Sequence, residues 1–289
     1  MSALRLAAAL ACLVPAAFAA DPAAYAAAVE LYAQRKPVEA QAAFAALAAA
    51  DPANADVHFY LGRLALQRDD HEEARRHLER AVALAPTNSR MQHRLGDAYG
   101  RAAQKAGLFA KLGWAAKCLA AYERAVALDP ANVDARFSLM GFYLQAPALA
   151  GGSPEKALAQ AAAIKELDSY RGALAAASAH AASQRFDLAF AEYEAALRIR
   201  PGDYAALFQL GRLAAVSGQQ ADRGLAALRA CLAQPTPEGQ PGHAQAQWRL
   251  GAILERQGDA AGARAAYEAA RQLDPGFAPA AESLRALAR

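Results

Sequence analysis

Cysteine is scarce in this sequence: Cys12, Cys118 and Cys231 are the only three in 289 residues. So few exclude a disulfide-stapled scaffold, and no Cys or His spacing suits a metal ion. A surplus of one charge is missing too. Thirty-one basic against 28 acidic side chains leave a formal +3, too little for a nucleic-acid surface and in keeping with a mixed, solvated exterior. Past the first 20 residues no apolar run is long enough to span a bilayer. The hydrophobic share of 55% is largely alanine, which favours helix more than it signals burial.

Signatures of catalysis are also lacking. His71-Glu72-Glu73-Ala74-Arg75 approaches the zinc-protease helix motif, but Arg75 stands where the second ligand histidine belongs, one turn on. His71 and His77 point in different directions around a helix. There is no Gly-x-Ser-x-Gly elbow and no dinucleotide fingerprint. Gly151-Gly152 is not followed by Gly-Lys-Ser/Thr, so it reads as a turn leading to an N-cap at Ser153 with Pro154 in the first helical position. The expectation is a chain that is not an enzyme, with no cofactor and no metal.

What is present begins with a distinctive start. In residues 1–19 Arg5 is the only charge, Leu6 to Val14 is apolar, and Pro15 precedes Ala17-Phe18-Ala19. That is the layout of a secretory signal cleaved after Ala19, which places the remainder outside the cytoplasm, in the periplasm of a Gram-negative cell. A lipoprotein signal anchored at Cys12 fits less well, because Ala9 stands where such signals carry leucine and little apolar sequence precedes the cysteine.

Beyond the leader the chain repeats. In Val57 to Pro86, residues His58, Leu61, Gly62 and Ala65 share one helical face. Asp70 with Glu73 three residues later makes a capping-box-like start to a second helix, whose stripe is Ala74, Leu78 and Ala81. Leu250, Gly251, Ala263, Tyr267, Ala270 and Pro275 repeat that spacing. Gly62 to Pro86, Gly211 to Pro235 and Gly251 to Pro275 each span 24 residues. One such helix pair cannot bury its apolar face alone, so units must stack on their neighbours.

Leu61 to Leu95, Gly62 to Gly96 and Pro52 to Pro86 are each 34 residues apart. With its Leu-Gly pair, its Ala-x3-large-x2-Ala run and its closing Pro, the unit resembles the tetratricopeptide repeat. The resemblance implies an all-α, right-handed solenoid of stacked helix-turn-helix units. The expected organisation is a leader (1–19), about seven repeats (20–275) and a C-terminal capping helix (276–289) with Ala281, Leu284 and Leu287 inward. Two repeats carry extra residues, near 101–118 and 145–154. The buried positions of Cys118 and Cys231, about three repeats apart, do not favour a bridge.

The resemblance further implies that the first helices of successive units line a concave groove for a peptide or partner helix. In that register fall Tyr25, Phe59, His93, Phe137, Leu174, Phe208 and Trp248, and one turn on come Arg63, Asp97 and Arg212. Aromatic contact area beside arginine suits a polypeptide carrying a carboxylate. The function expected is protein–protein scaffolding in cell-envelope assembly, with another protein or peptide as partner and no nucleic acid. The alternative is a membrane-peripheral factor that touches lipid or a membrane protein through residues 108–119, where Phe109, Lys111 and Trp114 are candidate contacts.

Overall fold

The computed structural model describes residues 21–288; the expected leader and Cys12 lie outside them. Among the described residues there are fifteen α-helices, one 3₁₀ turn and no strand. They form two compact units that divide between Leu128 and Asp129.

The first unit holds three helical hairpins: α1 (Pro22–Ala33) with α2 (Pro37–Ala50), α3 (Ala55–Gln67) with α4 (His71–Leu84), and α5 (Ser89–Lys105) with α6 (Leu108–Leu128). Local chemistry sets their ends. Asn54 and Asn88 accept hydrogen bonds from the Val57 and Met91 amides at 3.1 and 3.2 Å, capping α3 and α5. Asp70 does the same for α4 through the Glu73 amide. Glu73 does not complete a reciprocal box, because its carboxylate turns to Arg68 at 2.8 Å. Between the helices of the first two hairpins Arg35 and Asp69 take positive φ and reverse the chain.

Close approach of the paired helices needs small residues. A Cβ on Gly62 would stand 2.5 Å from the Leu78 side chain, and one on Gly96 equally near the Tyr122 ring. Ala28, Phe44, Val57, Leu61 and Leu64 form one buried cluster, with Phe44 stacked on Tyr60 at 4.7 Å. The ten extra residues of the third hairpin make no separate loop. They lengthen both helices, and only Ala106 and Gly107 interrupt them.

The second unit holds α7 (Val133–Gln145), the 3₁₀ turn Ala148–Ala150, α8 (Pro154–Leu167), α9 (Ser169–Ala182), α10 (Phe186–Ile199), α11 (Tyr204–Ser217), α12 (Ala221–Leu232), α13 (His243–Arg256), α14 (Ala260–Leu273) and α15 (Ala278–Leu287). Ser153 caps α8 and Pro154 opens it. Gly152 is required there, since a Cβ would meet the Ala146 carbonyl oxygen at 1.8 Å. Against α14 the last helix buries Ala280 completely, while Ala281, Leu284 and Leu287 are only half-buried. Trp248 seals the junction by donating to the Ser283 hydroxyl at 3.0 Å and meeting Phe277 edge-on.

Candidate protein-binding clefts

Position along each first helix decides whether a side chain joins the core or an open surface. In the first unit Phe59 and His93 are each 4% exposed. Both are packed inside, Phe59 against Tyr60 and His93 against the Tyr122 ring. They present no open wall to a partner, which corrects their expected place in the groove. Tyr25 is half-buried between Phe44 and Tyr60.

One turn on, the surface opens. Tyr32, Arg63, Leu66, Gln67, Arg94, Asp97, Arg101 and Tyr122 line a cleft of about 550 Å³ on the side formed by α1, α3 and α5. Arg63 lies over three rings, 4.7 Å from the centre of Tyr32, 5.4 Å from Phe59 and 5.7 Å from Tyr60. It has no carboxylate partner among the described residues. Asp97 is held at the floor by Arg94 and by the Tyr122 hydroxyl, each donating at 2.8 Å. Burial and then the Asp97 charge hold that hydroxyl well above the usual tyrosine range. Arg94 is taken by Asp97 and Arg101 by Asp69, which leaves the Arg63 guanidinium to favour an anionic group.

The signal for Gln67 and Arg101 was in the sequence. Each follows a predicted residue, Arg63 or Asp97, by four positions, and so extends the same helical face by one turn. Tyr122 was harder to find, because it reaches the cleft from the second helix of its hairpin.

The second unit has a smaller cleft of about 370 Å³ lined by Phe137, Arg171, Leu174, Ser178, Tyr193 and Gln209. Arg171 lies 5.0 Å over the half-buried Phe137 ring and pairs with Asp134 at 2.5 Å. Phe208, 3% exposed, belongs to the core, a second correction to the expected stripe. Arg212 donates to Gln209 at 2.6 Å, and Trp248 carries Arg249 at 4.1 Å. In α6 of the first unit, Trp114 folds back onto Tyr99 whereas Phe109 and Lys111 stay exposed. Among the described residues no cluster of His, Cys, Asp and Glu is fit to hold a metal ion.

The family model for the tetratricopeptide repeat matches residues 25–89 and 208–276. A tetratricopeptide repeat protein from Parabacteroides merdae superposes with a TM-score of 0.66 at 16% identity, over 92% of this chain and 98% of that one. Residues 25–89 and 208–276 are thus tetratricopeptide repeats, and the chain as a whole has the fold of tetratricopeptide repeat structures. Other similar structures are TTC0263, a tetratricopeptide repeat protein of Thermus thermophilus (TM-score 0.52, 20% identity, 73% and 98% covered), and PilF of Pseudomonas aeruginosa (0.56, 16%, 80% and 96%). No curated protein matches the sequence. Tetratricopeptide repeats generally serve protein interaction rather than catalysis, and no helix among the described residues is long and apolar enough to cross a membrane.

Proposed function

We propose that this protein is a non-catalytic scaffold that holds a peptide or partner helix in the cleft of its first unit. Arg63 carries the reading: an arginine without a carboxylate partner among the described residues, spread over three rings at the mouth of an open cleft. Apolar partner side chains lie against Tyr32 and Leu66. A partner carboxylate takes the Arg63 guanidinium in a bidentate pair. Phe137, Arg171 and Leu174 offer a second, more apolar contact in the other unit.

A cell-envelope setting is the companion proposal. It rests on the leader-like residues 1–19 and on likeness to PilW, a type IV pilus biogenesis factor (TM-score 0.50, 15% identity).

A photo-crosslinker placed at Gln67 in living cells tests the cleft. One dominant partner is expected, and Arg63→Glu should reduce its capture about tenfold or more while the chain keeps its helix content and a cooperative melt. Capture that is indifferent to Arg63→Glu would overturn the proposal.

A further inference from the structure

The hairpin α5–α6 is longer than its packing requires. Gly62 and Gly96 hold the same place in their hairpins; α3 continues five residues past the first, to Gln67, and α5 nine past the second, to Lys105. On the return, α4 starts seven residues before Leu78 and α6 fourteen before Tyr122, the side chains that close on those glycines. At about 1.5 Å per residue, the third hairpin projects about 6 to 10 Å farther than the second.

Of the added length, Ala103 on α5 is buried, but the turn that opens α6 is not. Every residue from Phe109 to Gly113 is exposed, Leu112 by 41% and Phe109 by 93%. Trp114 marks the base, stacked on Tyr99 with the Lys117 ammonium 4.7 Å over its ring. From Ala98 to Tyr122 the chain carries Arg101, Lys105, Lys111 and Lys117 and no carboxylate. The rest of the sequence holds 27 basic and 28 acidic side chains, so the formal positive excess lies in this hairpin. Arg101 and Lys105 reach back to Asp69 at 3.1 and 3.0 Å. Lys111, at the tip, has no carboxylate partner among the described residues, and the first turn of α6 holds no acidic residue.

We propose that this tip is a membrane-docking finger for an anionic phospholipid surface. Phe109 enters the boundary between headgroups and acyl chains with Leu112 beside it. Lys111, backed by Lys117, meets the phosphates while its stem lies along the apolar layer. A protein partner fits the tip less well. A stable protein interface takes about 800 Å² from each side, and five exposed residues on a projecting turn supply far less. A bilayer needs no matching concavity. The tip and the Arg63 cleft use different residues, so the two proposals stand or fall separately.

Flotation of the full chain with vesicles of equal phosphatidylglycerol and phosphatidylcholine tests the finger, with pure phosphatidylcholine as control. Wild-type protein should partition preferentially to the anionic vesicles, and less as salt rises. Phe109→Ser should lower that partitioning about tenfold. Lys111→Glu should lower it about tenfold on anionic vesicles and leave the neutral ones unchanged. Both side chains are exposed, so helix content and melting should not change, and the N-terminal leader is common to all three proteins. Equal partitioning of wild type and variants overturns the proposal, as does equal affinity for the two vesicle types. A Phe109-dependent complex with a protein, without vesicle binding, assigns the tip to a protein partner instead.

Discussion

Three tyrosines close hairpins from their second helices, and their hydroxyl groups differ in what they meet. Tyr122 donates to Asp97 at 2.8 Å and Tyr267 to Glu255 at 2.6 Å. The Tyr193 hydroxyl is buried with no partner among the described residues. Tyr267→Phe should therefore cost about 1 to 2 kcal/mol in urea unfolding, while Tyr193→Phe should change stability by less than about 0.5 kcal/mol or raise it. Gly62→Leu makes a complementary case. With Leu78 already 2.5 Å from where its Cβ would stand, overpacking should cost about 1 to 3 kcal/mol or more, and an unaltered melt would contradict the packing described. At this scale small residues and caps were legible, because a glycine forced by close helix approach recurs at a fixed spacing. Which aromatics face out was not. Phe59, His93 and Phe208 share a helical position with the half-buried Phe137 and Trp248, and only the bulk of neighbouring helices decides between core and cleft.

Between helices, α3 and α4 are joined by a histidine contact. The Nδ1 atoms of His58 and His77 lie 2.9 Å apart, so one ring must stay an unprotonated acceptor. Burial, with Arg76 and His58 adding to it, pushes His77 down to about 4 from 6.5. Glu73, 3.8 Å away, is engaged with Arg68 and does not offset this. Between those two values the unfolded chain takes up a proton that the folded ring refuses. The His77 contribution to stability should thus fall by about 2 to 3 kcal/mol as pH drops from 6.5 towards 4. His77→Asn should shrink that loss, measured by urea unfolding across the window. The longer α5–α6 hairpin gives another prediction. Trp114→Ala, which removes the stack on Tyr99, should cost about 1 to 2 kcal/mol, whereas Phe109→Ser should cost almost nothing. The spacing from Gly96 to Pro130 revealed the extra residues, but not that they extend helices. Arg101 to Lys105 contains no helix breaker, so α5 simply continues.

For the molecule as a whole, helical class and repeat period were readable because a 34-residue recurrence survives wherever Leu-Gly and the closing Pro survive. The division at Leu128 was not readable, because Asp129-Pro130 looks like the junctions at Asp51-Pro52 and Asp274-Pro275. Residues 129–289 expressed alone should show a helical spectrum and a cooperative melt of their own. Among the described residues each unit also encloses one thiol, Cys118 at 3% and Cys231 at 0% exposure, and burial pushes both up to about 12. Such sulfhydryls ignore an alkylating reagent until their surroundings come apart. With Cys12 replaced, the two labelling rates become separate clocks. One reads how often the first unit breathes, the other how often the second does.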